Sequence, residues 1–469
     1  MATSSNAAEA LESFTRNHPD TRFIRLQWLD YASTVRGRIL TLHHLQELVS
    51  SDRYHGLSGL NNLLVDSSVA FNDREGDCVA DQGCLIPDFS SLRRCPGLKG
   101  HAVVFCNFGT NTVRASPGVP ERPQPREACT RRLLQEAQQE AQRMGFGFLV
   151  GFEVEFVATP IRSRNNADGQ QYAHHYQHQL SGMRTLEDSG AQPVLCEITE
   201  ALQDVGLKVQ HFHAEGSTGQ LELAMGPLPP LEAVDALILA RETIRRVCRH
   251  HSFEASFAPS SPELNGLHLN MSMQQQPRHG YTDAPRDGCS KEAADWFLAG
   301  VFAHLDALCG LGMPLPESYD RAVTGRGCCG RFKAWGTQNR EVCVRRKGLG
   351  FWEFRVLDHA ANVYLFVAAV IFAGMDGIRH KAELKIADVT FEPAYATPEK
   401  RRLYGVTEEL PGAVDQAYGA LRADSLLRDK FGAVAIDAYV AVMKEYHRRL
   451  TNSGKLGSSA RQKWLLARL

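Results

Sequence analysis

The sequence predicts an α+β protein, with a small N-terminal domain over residues 1–125 and a larger C-terminal domain over 126–469. Three observations carry this reading. The first is length: 469 residues suffice for two or three domains, or for one large and one small. The second is the stretch from Ser116 to Glu127, whose four prolines make it the best linker. The third is a set of four strand-like runs with polar side chains two apart: GFEVEF from Gly151, TGQLELAM from Thr218, NGLHLNMS from Asn265 and FWEFRVL from Phe351. Alternation puts Glu153 and Glu155 on one face, and likewise His268 and Asn270, and Glu353 and Arg355. Carboxylates on a buried face need cations. A curved sheet lining one polar, metal-holding cavity follows, and it points to an enzyme.

The elements read in order. Thr21–Tyr31 is a strand running into a turn around Thr34–Arg38, and His43–Val49 is helical. Ala102–Phe108 is a second strand. Beyond the linker, Ala128–Met144 is a helix with a charged face. Long helices are expected over Leu231–Arg249, Lys291–Leu308, Ala360–Ile378 and Leu426–Leu450. The His-, Gln- and Tyr-rich interval Asn165–Arg184 reads as a surface or active-site loop.

Bulk properties narrow the class. An apolar share of 43% and a charged share of 22% are those of an ordinary globular protein. A net charge of −1 with no basic block argues against a nucleic-acid binder. The N-terminus lacks a basic and apolar leader, and the apolar run Val363–Gly374 is too short to span a bilayer. It is expected to be a buried helix. The twelve cysteines show no CxxC or zinc spacing, which suits reduced thiols and a cytoplasmic protein; Cys328 and Cys329 read as two free thiols.

Glu153, Glu155, Glu215, Glu222 and Glu353 with His268 form an oxygen-rich ligand set. Such a set suits Mg²⁺ or Mn²⁺ better than zinc, and five carboxylates exceed the need of one ion. Divalent ions beside clustered carboxylates commonly hold nucleotide phosphates. Seven arginines, at 321, 326, 331, 340, 345, 346 and 355, follow in one stretch. Their planar forks fit phosphate and carboxylate oxygens. Arg326, Arg331 and Arg346 read as a solvated basic loop, whereas Arg345 and Arg355 lie in apolar alternating strands.

Taken together, these segments resemble the glutamine synthetase family over nearly the whole chain. GFEVEF resembles its first metal strand, and HAEGSTGQLELAMGP its second signature. NGLHLNMS matches an NG-x-H-x-x-x-S pattern. ESYDRAV and NREVCVRR resemble its substrate and nucleotide arginine segments, and FWEFRVLDHAANVYL its E-x-R…D…AN-x-YL segment. LDYASTVRGRIL and PDFSSLR resemble its small domain.

The resemblance implies an N-terminal β-grasp domain, a catalytic domain with a curved antiparallel sheet, and a homo-oligomeric ring with sites shared between subunits. One metal would be held by Glu155, Glu215 and Glu222, the other by Glu153, His268 and Glu353. Asn265, Gly266, Arg321 and Arg355 would bind the amino-acid substrate. Arg340 and Arg345 would contact the transferred phosphate and ATP, and Ser272 lies at a nucleotide position.

Two departures bear on the second substrate. The family's acidic flap residue has no counterpart in Thr324–Cys328, and no carboxylate occurs between Asp320 and Glu341. The family's aspartate segment for ammonium corresponds to His55-Gly56-Leu57-Ser58. Asn270 stands where many relatives carry a second His. The expected activity is therefore ATP-dependent ligation of glutamate, or a similar acid, to an organic amine, with His55 as a proton acceptor. The alternatives are a true glutamine synthetase using ammonia, or an inactive ring.

Overall fold

A tight hairpin sets the frame. In the computed structural model, which describes residues 4–51, 57–59, 64–65, 68–69, 83–109, 129–161, 178–259, 264–275, 288–322 and 328–452, helix Ser4–Asn17 leads into β1 (Phe23–Leu29) and β2 (Val35–Thr41). The hairpin closes at Asp30–Thr34, earlier than the expected turn at Thr34–Arg38. Asp30 Oδ1 accepts the Thr34 amide at 2.8 Å, and Ser33 adopts a φ of 60°. Gly37 is then a strand residue, paired with Gln27.

The remaining N-terminal strands are β3 (Leu57–Gly59), β4 (Leu64–Val65), β5 (Ser68–Val69), β6 (Gly83–Pro87), β7 (Arg93–Arg94) and β8 (His101–Gly109). The main sheet runs β2-β1-β8-β6-β3, with β1 and β8 parallel. Ile24, Leu26 and Trp28 share one face with Ala102, Val104 and Cys106, and meet Leu45 and Leu48 of helix Leu42–Ser50. Thr41 caps that helix through the His44 amide.

The larger sheet comprises β9 (Phe146–Pro160), β10 (Val209–Ala214), β11 (Gln220–Met225), β12 (Phe253–Ser256), β13 (Leu267–Gln275), β14 (Trp335–Thr337), β15 (Val344–Gly348) and β16 (Phe351–Phe354). Its order is β10-β11-β9-β13-β16-β15-β14, with β12 beside the far end of β9; every pairing except β14–β15 is antiparallel. Along β9 the even residues Phe148, Val150, Phe152, Val154 and Phe156 enter the helix-covered core. The odd residues Glu153 and Glu155 take the opposite face.

Helix Val363–His380 is long and apolar enough to cross a membrane, but it is a core helix here, buried from Val363 through Met375. Two expected single helices are broken. Lys291–Leu308 becomes Lys291–Ala303 and Leu305–Gly312, set 70° apart. The junction residue His304 bonds Asp424 at 2.7 Å, so a tertiary contact holds the bend. Leu426–Leu450 becomes Ser425–Phe431 and Ala433–Asn452, parted at Gly432, whose φ of 88° no helix accommodates.

The expected linker Ser116–Glu127, and all but the last residues of the Asn165–Arg184 loop, lie outside the described residues. The N-terminal hairpin nevertheless meets the larger sheet's helices directly. Ser33 Oγ donates to the Ala361 carbonyl at 2.8 Å, and Asn362 Nδ2 donates to the Asp30 carbonyl at 2.9 Å.

Candidate active site

The polar face of the larger sheet gathers its charges by register. Glu153 on β9 is paired with His268 on β13, and Glu155 with Glu222 on β11. Glu353 on β16 sits opposite Asn270 on one side and Arg345 of β15 on the other. His268 Nδ1 thereby lies 3.2 Å from Glu153, 3.6 Å from Glu155 and 3.8 Å from Glu353. Glu215, just past β10, is held by His213 at 3.2 Å and by the Gly216 amide at 2.9 Å. All six expected ligand residues thus lie on one sheet face, on the four adjoining strands β11, β9, β13 and β16 and at the mouth of a fifth, β10.

Cations occupy the other half. Glu353 is fully buried, ion-paired with Arg355 and, at 3.0 Å, with Arg345. Burial opposes its charge, but Arg355, His268 and Arg345 hold the carboxyl below the usual range. Glu153 behaves likewise: burial is outweighed by His268 and Lys347. Among the described residues, Glu222 has only the His213 ring, with Nδ1 4.0 Å away, and lacks an Arg or Lys partner. Burial, then Glu153, Glu155, Glu215 and Glu353, push its carboxyl up to about 9.

The substrate-segment residues sit behind this cluster. Gly266 donates its amide to Glu155 Oε2 at 2.7 Å; a Cβ there would stand 2.6 Å from Arg321 Nη2 and 3.0 Å from His268 Nε2, so any larger residue would displace the ends of two site side chains. Asn265 is buried and links Gln220 to the Ser256–Ala258 backbone. Arg321 is fully buried and donates to the Leu357 carbonyl at 2.9 Å. Arg355 Nε donates to the Cys328 carbonyl at 2.5 Å, tying the strand to the root of the 322–328 segment.

A family model for the glutamine synthetase catalytic domain matches residues 127–454. The chain belongs to the glutamine synthetase family. It is 34% identical to gamma-glutamylpolyamine synthetase GlnA3 of Streptomyces coelicolor over 68% of this chain and 69% of that one. Protein fluG of Emericella nidulans is 28% identical over 99% of this chain, which spans half of fluG's length. The glutamine synthetase of Thermotoga maritima is 27% identical over 92% of this chain and 95% of its own. Among solved structures, a GmaS/ADP complex superposes with a TM-score of 0.75 at 21% identity, covering 97% of this chain and 98% of the other, which shows the shared fold.

A divalent ion fits this glutamine synthetase-type face on two counts. His268 Nε2 is buried without a hydrogen-bond partner, while Nδ1 is oriented by Glu153. Glu153, Glu222 and His268 also bring ligand atoms within 4.8 Å of one another. A cation there would supply the charge that Glu222 lacks.

Other expected residues are less central. Arg345 bridges Glu353 and Gln338. Arg340 is exposed in the turn between β14 and β15, outside the cluster. Ser272 shares the face of His268 and Asn270, roughly 13 Å along β13. His55, Gly327 and Arg326 lie outside the described residues. Arg331 is exposed and paired with Glu409, as expected of a solvated loop. Arg346 is not: it is a β15 residue stacked 4.8 Å over Trp335 and bonded to Asp388.

Three site residues escaped the sequence reading as candidates. Lys347 bonds Asn270 at 2.9 Å and Glu153 at 3.4 Å. Gln220 bonds Glu155 and Asn265, and His213 pairs with Glu215. Lys347 lies two residues after Arg345, Gln220 two before Glu222 and His213 two before Glu215, so a period of two reaches each from a residue already singled out.

Proposed function

We propose that the chain is an ATP-dependent carboxylate–amine ligase that joins glutamate, or a similar amino acid, to an organic amine. The carrying observation is the division of one sheet face into a carboxylate half on β9–β11 and a guanidinium half on β15–β16, meeting at His268 and Glu353. A carboxylate half holds divalent ions and, through them, phosphates; a guanidinium half neutralises a phosphoryl group in flight.

In this reading Glu155, Glu215 and Glu222 hold one Mg²⁺ or Mn²⁺, and Glu153, His268 and Glu353 the other. Bound divalent ions supply charge neutralisation of the ATP phosphates. The substrate carboxylate oxygen attacks the γ-phosphorus, and ADP leaves. Arg345 and Arg340 counter the charge on the transferred group. Asn265, Gly266, Arg321 and Arg355 orient the amino acid, and Ser272 faces the nucleotide. The amine nitrogen then attacks the acyl phosphate carbon, phosphate leaves, and the amine's proton passes to a base, for which His55 is the candidate. ADP in the GmaS complex is in line with the nucleotide assignment.

An organic amine is preferred over ammonium for a chemical reason. A bare ammonium ion is selected by negative charge, and the segment from Ala322 to Arg340 carries none. The relationship to a gamma-glutamylpolyamine synthetase supports the same choice. The family relationship also supports a homo-oligomeric ring with shared sites. The deciding experiment incubates the protein with glutamate, ATP and a panel of amines, with mass spectrometry for new amides. Amine-dependent ADP release with a γ-glutamyl product is expected. Efficient saturation by ammonium alone would favour a true glutamine synthetase, and no turnover with any amine would leave the inactive ring.

A further inference from the structure

A second group of potential ligands converges outside the catalytic residues. Helix Pro230–His250 ends on two consecutive histidines, and both turn toward one carboxylate, Glu197, on helix Ala191–Gln203. His251 Nε2 lies 2.7 Å from Glu197 Oε2, and His250 Nδ1 lies 3.4 Å from Glu197 Oε1. The two rings stand 5.5 Å apart at 72°, so they approach the carboxylate from different directions. One ligand atom from each residue falls within 4.8 Å of the other two.

We propose that Glu197, His250 and His251 form a binding site for a borderline divalent transition metal, of the zinc class. Two imidazoles and one carboxylate are a ligand set that zinc favours and magnesium does not. Tetrahedral bonds of about 2.0–2.1 Å separate neighbouring ligand atoms by roughly 3.4 Å, the gap already present at His250. The third ligand gap opens as the ion replaces the His251–Glu197 hydrogen bond. Glu197 is 43% exposed at its side chain, which leaves a fourth position for water. The carbonyls at the helix C-terminus add favourable potential for a cation.

The placement gives the ion a mechanical role. His251 opens the turn that passes through Ser252, at φ 60°, into β12. The Ser252 carbonyl accepts the Ile161 amide at 2.8 Å, just beyond the end of β9, the strand of Glu153 and Glu155. A bound ion would clamp one helix to the turn that anchors this strand.

Zinc uptake by the full, tag-free chain tests the site, with millimolar Mg²⁺ present to compete at the carboxylate face. Wild type, the His250→Ala/His251→Ala double variant and Glu222→Gln are compared by equilibrium dialysis and by thermal unfolding with and without zinc. The double variant should bind one equivalent fewer, with affinity for that equivalent at least tenfold weaker, and should lose the zinc-induced rise in Tm. Glu222→Gln should keep both. Equal uptake by the double variant and wild type, or loss of that equivalent in Glu222→Gln instead, overturns the proposal. Unfolding in chelator establishes that the variants fold.

Discussion

Glu353 and Glu222 share a cluster but have opposite surroundings, and this separates their roles. Glu353 is enclosed by Arg345 and Arg355, so Glu353→Gln leaves two guanidinium groups short of a counter-charge. A loss of about 3–5 kcal/mol is expected. Glu222, raised to about 9 by burial and four carboxylates, keeps its proton at neutral pH in the absence of metal, so Glu222→Gln replaces a neutral side chain with a near-isosteric one and should change stability by no more than about 1 kcal/mol. Both variants should lose divalent-dependent turnover. Denaturant unfolding without divalent ions, alongside an ADP-release assay, separates the two effects. Asp30 offers a pH test away from the site. Burial outweighs Arg36 and the Thr34 amide, and raises its carboxyl to about 6. Between the unfolded value near 3.9 and that value, the folded state keeps a proton that the unfolded state has released. The stabilising contribution is therefore full below about pH 4 and lost as pH rises through 6. Relative to Asp30→Asn, the wild type should lose about 2 kcal/mol between pH 4 and pH 7. A constant difference across that range would show that Asp30 does not titrate as stated. Alternation made the acids and Arg355 readable at this scale. It passed over Lys347 and Gln220 because a lysine and a glutamine in a polar-faced strand attract no notice by type.

At the scale of elements, close helix contact is governed by two glycines. A Cβ on Gly377 would overlap the Trp296 carbonyl and stand 2.6 Å from the Gly300 amide nitrogen; one on Gly300 would overlap the Ala373 carbonyl. Helices Lys291–Ala303 and Val363–His380 therefore touch backbone to backbone. Intrinsic propensity favours Ala over Gly by about 1 kcal/mol, but the overlap costs about 2–3 kcal/mol or more. Gly377→Ala should therefore lower Tm; a rise would mean that the helices separate freely. The AN-x-YL segment also proves to be a junction. Asn362 caps its helix through the Leu365 amide and donates to Asp30, while Tyr364 donates to Asp235, which also receives the Arg131 fork at 2.8 and 3.1 Å. The break at Gly432 could be read from a glycine between two amphipathic runs. The bend at His304 could not, because its cause is Asp424, 120 residues away.

At the scale of the molecule, the α+β class and the matched catalytic region agree with the motif order along the chain. What the sequence could not convey is how the sheet balances itself. The carboxylates of β9 and β16 are each met by a side chain from β13 or β15: Glu153 by His268 and Lys347, Glu353 by Arg345. The polar face thus carries much of its own neutralisation. If the face holds metal as proposed, chain folding does not depend on metal loading. Prolonged dialysis against a chelator should abolish ADP release while shifting Tm by only a few degrees, and adding Mg²⁺ should restore activity within the mixing time, without refolding. Loss of the cooperative unfolding transition in chelator would show instead that the ions are part of the scaffold. If the events are separate, newly made protein can wait, assembled and silent, until the ion supply switches it on.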